Sequence, residues 1–173
     1  MYRFIRQGVL VSAVSLAAAS TAFAASQTAN LAVSASVTDN CTITTAAIPF
    51  GSYDPIVAND TAPLDNTGTV TITCTKGTPA TIGLGTGLNA GKVVGVSRAM
   101  NDTASPTPDY LGYELYQDSG HATVWTNSGA GLLSPAAAPS KAARNFSVYG
   151  RVIAGQDVPQ NSYTDTVVAT VNF

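Results

Sequence analysis

One stretch constrains this chain more than any other: Ala29–Thr38, which reads ANLAVSASVT. Side chains on a strand alternate between faces, so Leu31, Val33, Ala35 and Val37 share one face while Ala32, Ser34 and Ser36 take the other. Neither a charge nor a proline occurs between Ala25 and Thr38. A bare strand of this kind offers its backbone and its apolar face to any other strand, so something must cover it. The cover is either the chain's own domain, which would make this an ordinary first strand, or the surface of a neighbouring copy.

The residues before it read as an export leader. Arg3 and Arg6 form a positive start, Val9 to Ala19 is an apolar run too short to span a bilayer comfortably, and Ala22-Phe23-Ala24 is a small-x-small cleavage site. The expected division is a signal peptide over 1–24, a leading segment over 25–40 and one domain over 41–173, which is ample for a hydrophobic core.

Removing Arg3 and Arg6 takes Lys+Arg from 8 to 6 against 10 acidic residues, so the net charge moves from −2 to −4. Nucleic-acid binding needs a basic stripe, and none exists here. Charged residues make up only 10% of the chain, well under the roughly one quarter usual for soluble domains. Such a surface suits a protein packed against copies of itself, and equally a secreted Thr/Ser-rich β protein.

Two cysteines, Cys41 and Cys74, follow the leader. An even count in an oxidising compartment reads as one disulfide, with a single pairing available. Closing a loop of roughly 34 residues would constrain the unfolded chain by on the order of 3–4 kcal/mol. A metal or redox site fails on spacing, since there is no CxxC and His121 is the only histidine.

Downstream, the pattern is short alternating strands set off by Gly, Pro, Asn and Asp turns. Thr69–Cys74 places Val70, Ile72 and Cys74 on one face; Ala80, Ile82 and Leu84 line another strand. Tyr110–Gln117 presents Leu111, Tyr113 and Leu115, and Asp118-Ser119-Gly120 turns it into a return over Ala122–Trp125. Arg144–Ile153 aligns Phe146, Val148, Gly150 and Val152. Tyr163–Phe173 reads as one last strand, with Val167, Ala169, Val171 and Phe173 inward. Ile48–Pro55 suits an edge or the corner between two sheets, because of its prolines. No long helical periodicity interrupts, so the fold class is an all-β sandwich.

Chemistry-bearing motifs are near misses. Gly85-x-Gly87-x-x-Ala90 matches a dinucleotide fingerprint in letters but lacks the following helix, and reads as a hairpin loop. Gly95-Val96-Ser97-Arg98-Ala99 resembles a nucleophile elbow without the strand-turn-helix setting, so Ser97 reads as a surface hydroxyl. Trp125 fits a core or edge pocket better than a sugar platform. One histidine and scattered acids supply no acid/base pair, so neither catalysis nor a cofactor is expected.

The order of several short motifs resembles the spore coat protein U domain family, which includes subunits of archaic chaperone–usher pili. The carrying residues are Cys41 after the alternating strand, Phe50-Gly51-x-Tyr53-Asp54-Pro55, Ile72-Thr73-Cys74 with Gly77, and Tyr113-x-Leu115-Tyr116-x-Asp118. Gly150-Arg151-Val152 and the ending Tyr163-x-Asp165-Thr166-Val167 through Thr170-Val171-x-Phe173 complete the set. Asn161 stands where the pattern leads one to expect glycine before Tyr163; asparagine tolerates the left-handed backbone.

This resemblance implies an immunoglobulin-like sandwich that lacks one strand and is completed by a donated one. The donor would be Ala29–Val37, inserting Leu31, Val33, Ala35 and Val37. The C-terminal strand, with Val167, Ala169, Val171 and Phe173, would border the groove and face a periplasmic chaperone, the terminal carboxylate serving as an anchor. Implied partners are further copies or related pilins in a head-to-tail fibre, the chaperone, and an outer-membrane usher. The expected product is an exported surface pilus subunit supporting adhesion and biofilm formation, in a shaft or minor position. The alternative is a self-assembling coat protein of a spore or cell surface. A secreted carbohydrate-binding module built on Trp125 and tyrosines is a third reading, and an enzyme the weakest.

Overall fold

The computed structural model describes residues 24–102 and 106–173. The expected signal peptide lies outside the described residues except for Ala24. No helix among the described residues is long and apolar enough to cross a membrane. The chain divides into two units, Met1–Ser36 and Val37–Phe173. In the first, residues 24–36 form neither helix nor strand and all are exposed, Leu31 at 86% and Val33 at 85%. The alternating pattern there therefore carries no strand pairing.

The second unit is built from β1 (Cys41–Ala46), β2 (Leu64–Cys74), β3 (Thr81–Leu84), β4 (Arg98–Asp102), β5 (Tyr110–Tyr116), β6 (Arg144–Val152), β7 (Tyr163–Thr164) and β8 (Ala169–Asn172). One sheet runs β1-β2-β6-β5-β4-β7 and the other is β3-β8, with every pairing antiparallel. The alternation explains the core. Val70, Ile72 and Cys74 of β2, Ile82 and Leu84 of β3, Leu111, Tyr113 and Leu115 of β5, and Val148 and Val152 of β6 are all buried. Trp125 is fully buried among them and its indole N–H donates to the Ile82 carbonyl at 2.9 Å, so it is a core residue.

Two buried charges brace the layers. The Arg98 guanidinium of β4 pairs with Glu114 of β5, and also donates to the carbonyls of Gly85 (2.9 Å), Leu84 (3.1 Å) and Trp125 (2.6 Å). Glu114 in turn accepts from the Ser97 N–H (2.9 Å) and hydroxyl (2.7 Å). Ser97 is therefore a partner in this network, in place of the expected surface hydroxyl. Every strong donor and acceptor of the pair is satisfied, which is the condition under which buried ions are tolerated.

Four further expectations change. Ala122–Trp125 makes only a bridge between Val124 and Tyr116, because Asp118 accepts the N–H groups of Ala122 (3.1 Å) and Thr123 (2.8 Å) and holds a turn there. The last strand is broken: Tyr163–Thr164 pairs with β4 in the large sheet, and Ala169–Asn172 with β3 in the small one. Between them the Asp165 carboxylate accepts from the Leu88 and Thr166 N–H groups, both at 2.8 Å, and draws the chain off the first ladder. Val167, Ala169 and Val171 are partly buried against the core as expected, whereas Phe173 is 58% exposed, one residue beyond the end of β8. Asn161 also departs from expectation. Its backbone is not left-handed, and its side chain instead donates to Asp102 at 2.9 Å.

Candidate functional site

The site is an opening in the sandwich, and the backbone defines it. On β1, the Thr75 N–H donates to the Asn40 carbonyl at 2.9 Å. Antiparallel ladders alternate, so Thr42, Thr44 and Ala46 face β2. The N–H and C=O groups of Cys41, Ile43 and Thr45 then point outward, along an edge that no strand among the described residues occupies. On β8, the Gly85 N–H donates to the Val168 carbonyl at 2.9 Å. The same alternation turns Thr170 and Asn172 toward β3, and the backbone groups of Ala169 and Val171 toward the other side. That side is also an unpaired edge, and β1 and β8 are neighbours.

Below the two edges the core is open. A cavity of about 320 Å³ is lined by Thr45–Ile48, Val70, Leu84, Tyr113, Leu115, Val148, Val167 and Ala169. A second, of about 690 Å³, extends over Leu64, Leu111, Val152 and Val158–Tyr163. The two adjoin, sharing Ile48, Phe50, Met100 and Tyr163 in their lining, and the smaller is the groove beneath the β1 and β8 edges. The smaller cavity has more apolar than polar lining, whereas the larger is lined equally by both, with Ser52, Asp54, Gln160, Asn161 and Ser162 among its walls. One polar spot stands out, where the buried Tyr113 hydroxyl donates to Asp165 at 2.7 Å. Burial, reinforced by that carboxylate, pushes the Tyr113 phenol well above its usual range.

Local sequence explains why the groove keeps this shape. Ile48 and Phe50 leave β1 and lie over Gly68 and Gly150. A Cβ at Gly68 would sit 2.6 Å from Ile48 Cγ1, and one at Gly150 2.7 Å from Phe50 Cζ. Tyr53 fixes the rest of that segment, its hydroxyl donating to the Ile153 carbonyl (3.1 Å) and accepting the Gln156 N–H (2.9 Å). Asp54 accepts from Ile56 and Val57 N–H groups, which hold its carboxyl below the usual range. Gly87, at φ +77°, makes room for Asp165, whose Oδ2 would lie 1.9 Å from an added Cβ.

The residues singled out in the sequence fall into three groups. Cys41 and Cys74 are bonded across a register pair of β1 and β2. Val167, Ala169 and Val171 line or adjoin one wall of the groove. Leu31, Val33, Ala35 and Val37 are exposed and lie outside every strand, Val37 being 85% exposed. No group of His, Cys, Asp or Glu among the described residues is arranged to hold a metal. Sequence reasoning missed the roles of Asp165, Gly87, Arg98 and Glu114. The Tyr163-x-Asp165 motif carried a signal for the first of these.

Comparisons with known proteins agree with this architecture. Protein U of Myxococcus xanthus is 41% identical over 181 residues, covering 95% of this chain and 94% of its own. A solved structure from Acinetobacter baumannii, the CsuC–CsuE chaperone–tip adhesion subunit pre-assembly complex of archaic chaperone–usher Csu pili, matches with a TM-score of 0.51 and 25% identity. That match covers 79% of this chain but only 40% of the other, so the chain spans less than half of that protein. The sandwich is of the immunoglobulin-like type found in pilin subunits. The model of the Spore Coat Protein U domain matches residues 27–170, and the chain belongs to that family.

Proposed function

We propose that this chain is a structural subunit of a surface pilus or fibre, built when residues 29–37 of one copy enter the slot between β1 and β8 of the next. One observation carries the reading: two adjacent strand edges with outward backbone groups flank an open apolar groove. The same chain holds an exposed, uncharged, alternating segment. A strand laid in that slot, with β1 and β8 parted to about twice the ~4.8 Å ladder spacing, gains ladder hydrogen bonds on both sides and buries Leu31, Val33, Ala35 and Val37. Side-chain burial alone would not offset the cost of ordering such a segment. The contact is head to tail and does not close on itself, so its product is a fibre.

The likeness to a chaperone-bound tip subunit supports a periplasmic chaperone as the first occupant of the slot, with Val167, Ala169, Val171 and Phe173 facing it. An outer-membrane usher and display at the cell surface complete the route. Adhesion and biofilm formation are the roles such a fibre would serve. The chain is a structural protein and not an enzyme. Membership of the Spore Coat Protein U domain family favours a second reading, in which the same slot builds a coat on a spore or cell surface. Co-expression with chaperone and usher genes, followed by electron microscopy of whole cells, separates the two. The pilus reading predicts fibres only when both helpers are present; a coat that forms without them supports the alternative.

A further inference from the structure

The point where the leading segment joins the domain is locked. The Thr75 hydroxyl donates to the Thr38 carbonyl at 3.2 Å, and the Thr75 N–H to the Asn40 carbonyl at 2.9 Å. The hydroxyl of the fully buried Thr78 donates to Asp39 Oδ1 at 2.6 Å, and Cys41 is bonded to Cys74. The receiving turn is itself held, Gly77 N–H donating to the Ala138 carbonyl (2.8 Å) and Ala138 N–H to the Thr78 carbonyl (3.0 Å). Val37, the last of the alternating apolar residues, is therefore followed at once by anchored chain.

From this we infer a second contact between successive copies, beside the donated strand on whose reading it rests: the Thr75–Pro79 turn of the giving copy sits against the rim of the accepting copy's groove. If Val37 is inserted and Thr38 is already held by its own domain, no free residue separates the two bodies. Adjacent Cα atoms are about 3.8 Å apart, so the turn cannot stand clear of the rim. The partner surface is a second copy of this chain, and the joint is stiff because it lacks a linker. Lys76 is exposed in this turn and carries a long side chain, so it reports on the contact.

Two measurements test this. A photo-crosslinking amino acid placed at Lys76 is expected to join neighbouring copies in assembled fibres; fibres that form normally yet give no such link overturn the inference. Inserting Gly-Ser-Gly-Ser between Val37 and Thr38 leaves strand and slot unaltered. It should abolish the link and shorten the fibre's persistence length, as a flexible linker between stiff bodies does. Inserted fibres as straight and as readily linked as the originals also overturn it. Failure of the donated-strand reading looks different, because polymers would then persist when Leu31 and Val33 are made acidic.

Discussion

Tyr113 of β5 and Asp165, between β7 and β8, meet at 2.7 Å in the groove beneath the β1 and β8 edges, the phenol donating to the carboxylate. This bond ties the floor of the large sheet to the segment that crosses to the small one. Tyr113→Phe removes the donor and leaves the ring packing intact. A hydrogen bond to a charged group is worth about 1.5–3 kcal/mol, so a loss within that range is expected. Urea denaturation of the purified subunit reads it as a lowered midpoint at unchanged slope.

Arg98 and Glu114 predict a larger loss. Replacing Arg98 by Met leaves Glu114 buried without its cation and strips donors from three carbonyls. Breaking one side of a buried pair costs on the order of 3–5 kcal/mol. The expected outcome is a subunit that unfolds at much lower denaturant, read by near-ultraviolet circular dichroism through the adjacent Trp125.

Much of this architecture is legible in the sequence, and the failures have physical causes. Val70, Ile72 and Cys74, and Leu111, Tyr113 and Leu115, announce themselves because each alternates with polar residues on a face that must be buried. Cys41 and Cys74 had one possible pairing. The break in the last strand was passed over because Val167, Ala169, Val171 and Phe173 alternate cleanly; Asp165, a carboxylate on the inward face of that pattern, is its one sign, and capture by a distant loop at Leu88 decides the matter. The burial of Arg98 and Glu114 had no local signal, since nothing nearby in the sequence indicates that a cation will be ringed by carbonyls from other elements. Gly68 and Gly150 give no local hint that Ile48 and Phe50 will lie over them.

The disulfide closes the base of β1, next to the slot. Replacing both Cys41 and Cys74 by Ser should lower stability by about 2–5 kcal/mol, the usual range for a small exported domain. The same variant should accumulate poorly in an oxidising compartment. Thermal melting of the wild-type chain with and without reductant checks it, and identical melts would show the bridge to be dispensable.

Asp65 sets part of the acid limb. The bidentate Arg151 fork, at 2.7 Å to each carboxylate oxygen, holds its carboxyl below the usual range. A depressed carboxyl stabilises the fold at pH values above its unfolded pKa of about 3.9, and that contribution fades as pH falls through the folded value. The pair is partly exposed, so its share is small. Asp65→Asn should therefore be slightly less stable than wild type at neutral pH and lose less on acidification. Urea midpoints measured between about pH 6 and pH 2 would show the two curves converging.

The donated strand is tested most directly by its own side chains. Leu31→Asp combined with Val33→Asp places two charges where the groove is apolar and leaves β1 to β8 unaltered. Electron microscopy of cells carrying the chaperone and usher, with chaperone pull-down in parallel, gives the answer. The account predicts subunit bound to chaperone and no fibres; fibres of normal length and number from that variant would contradict it.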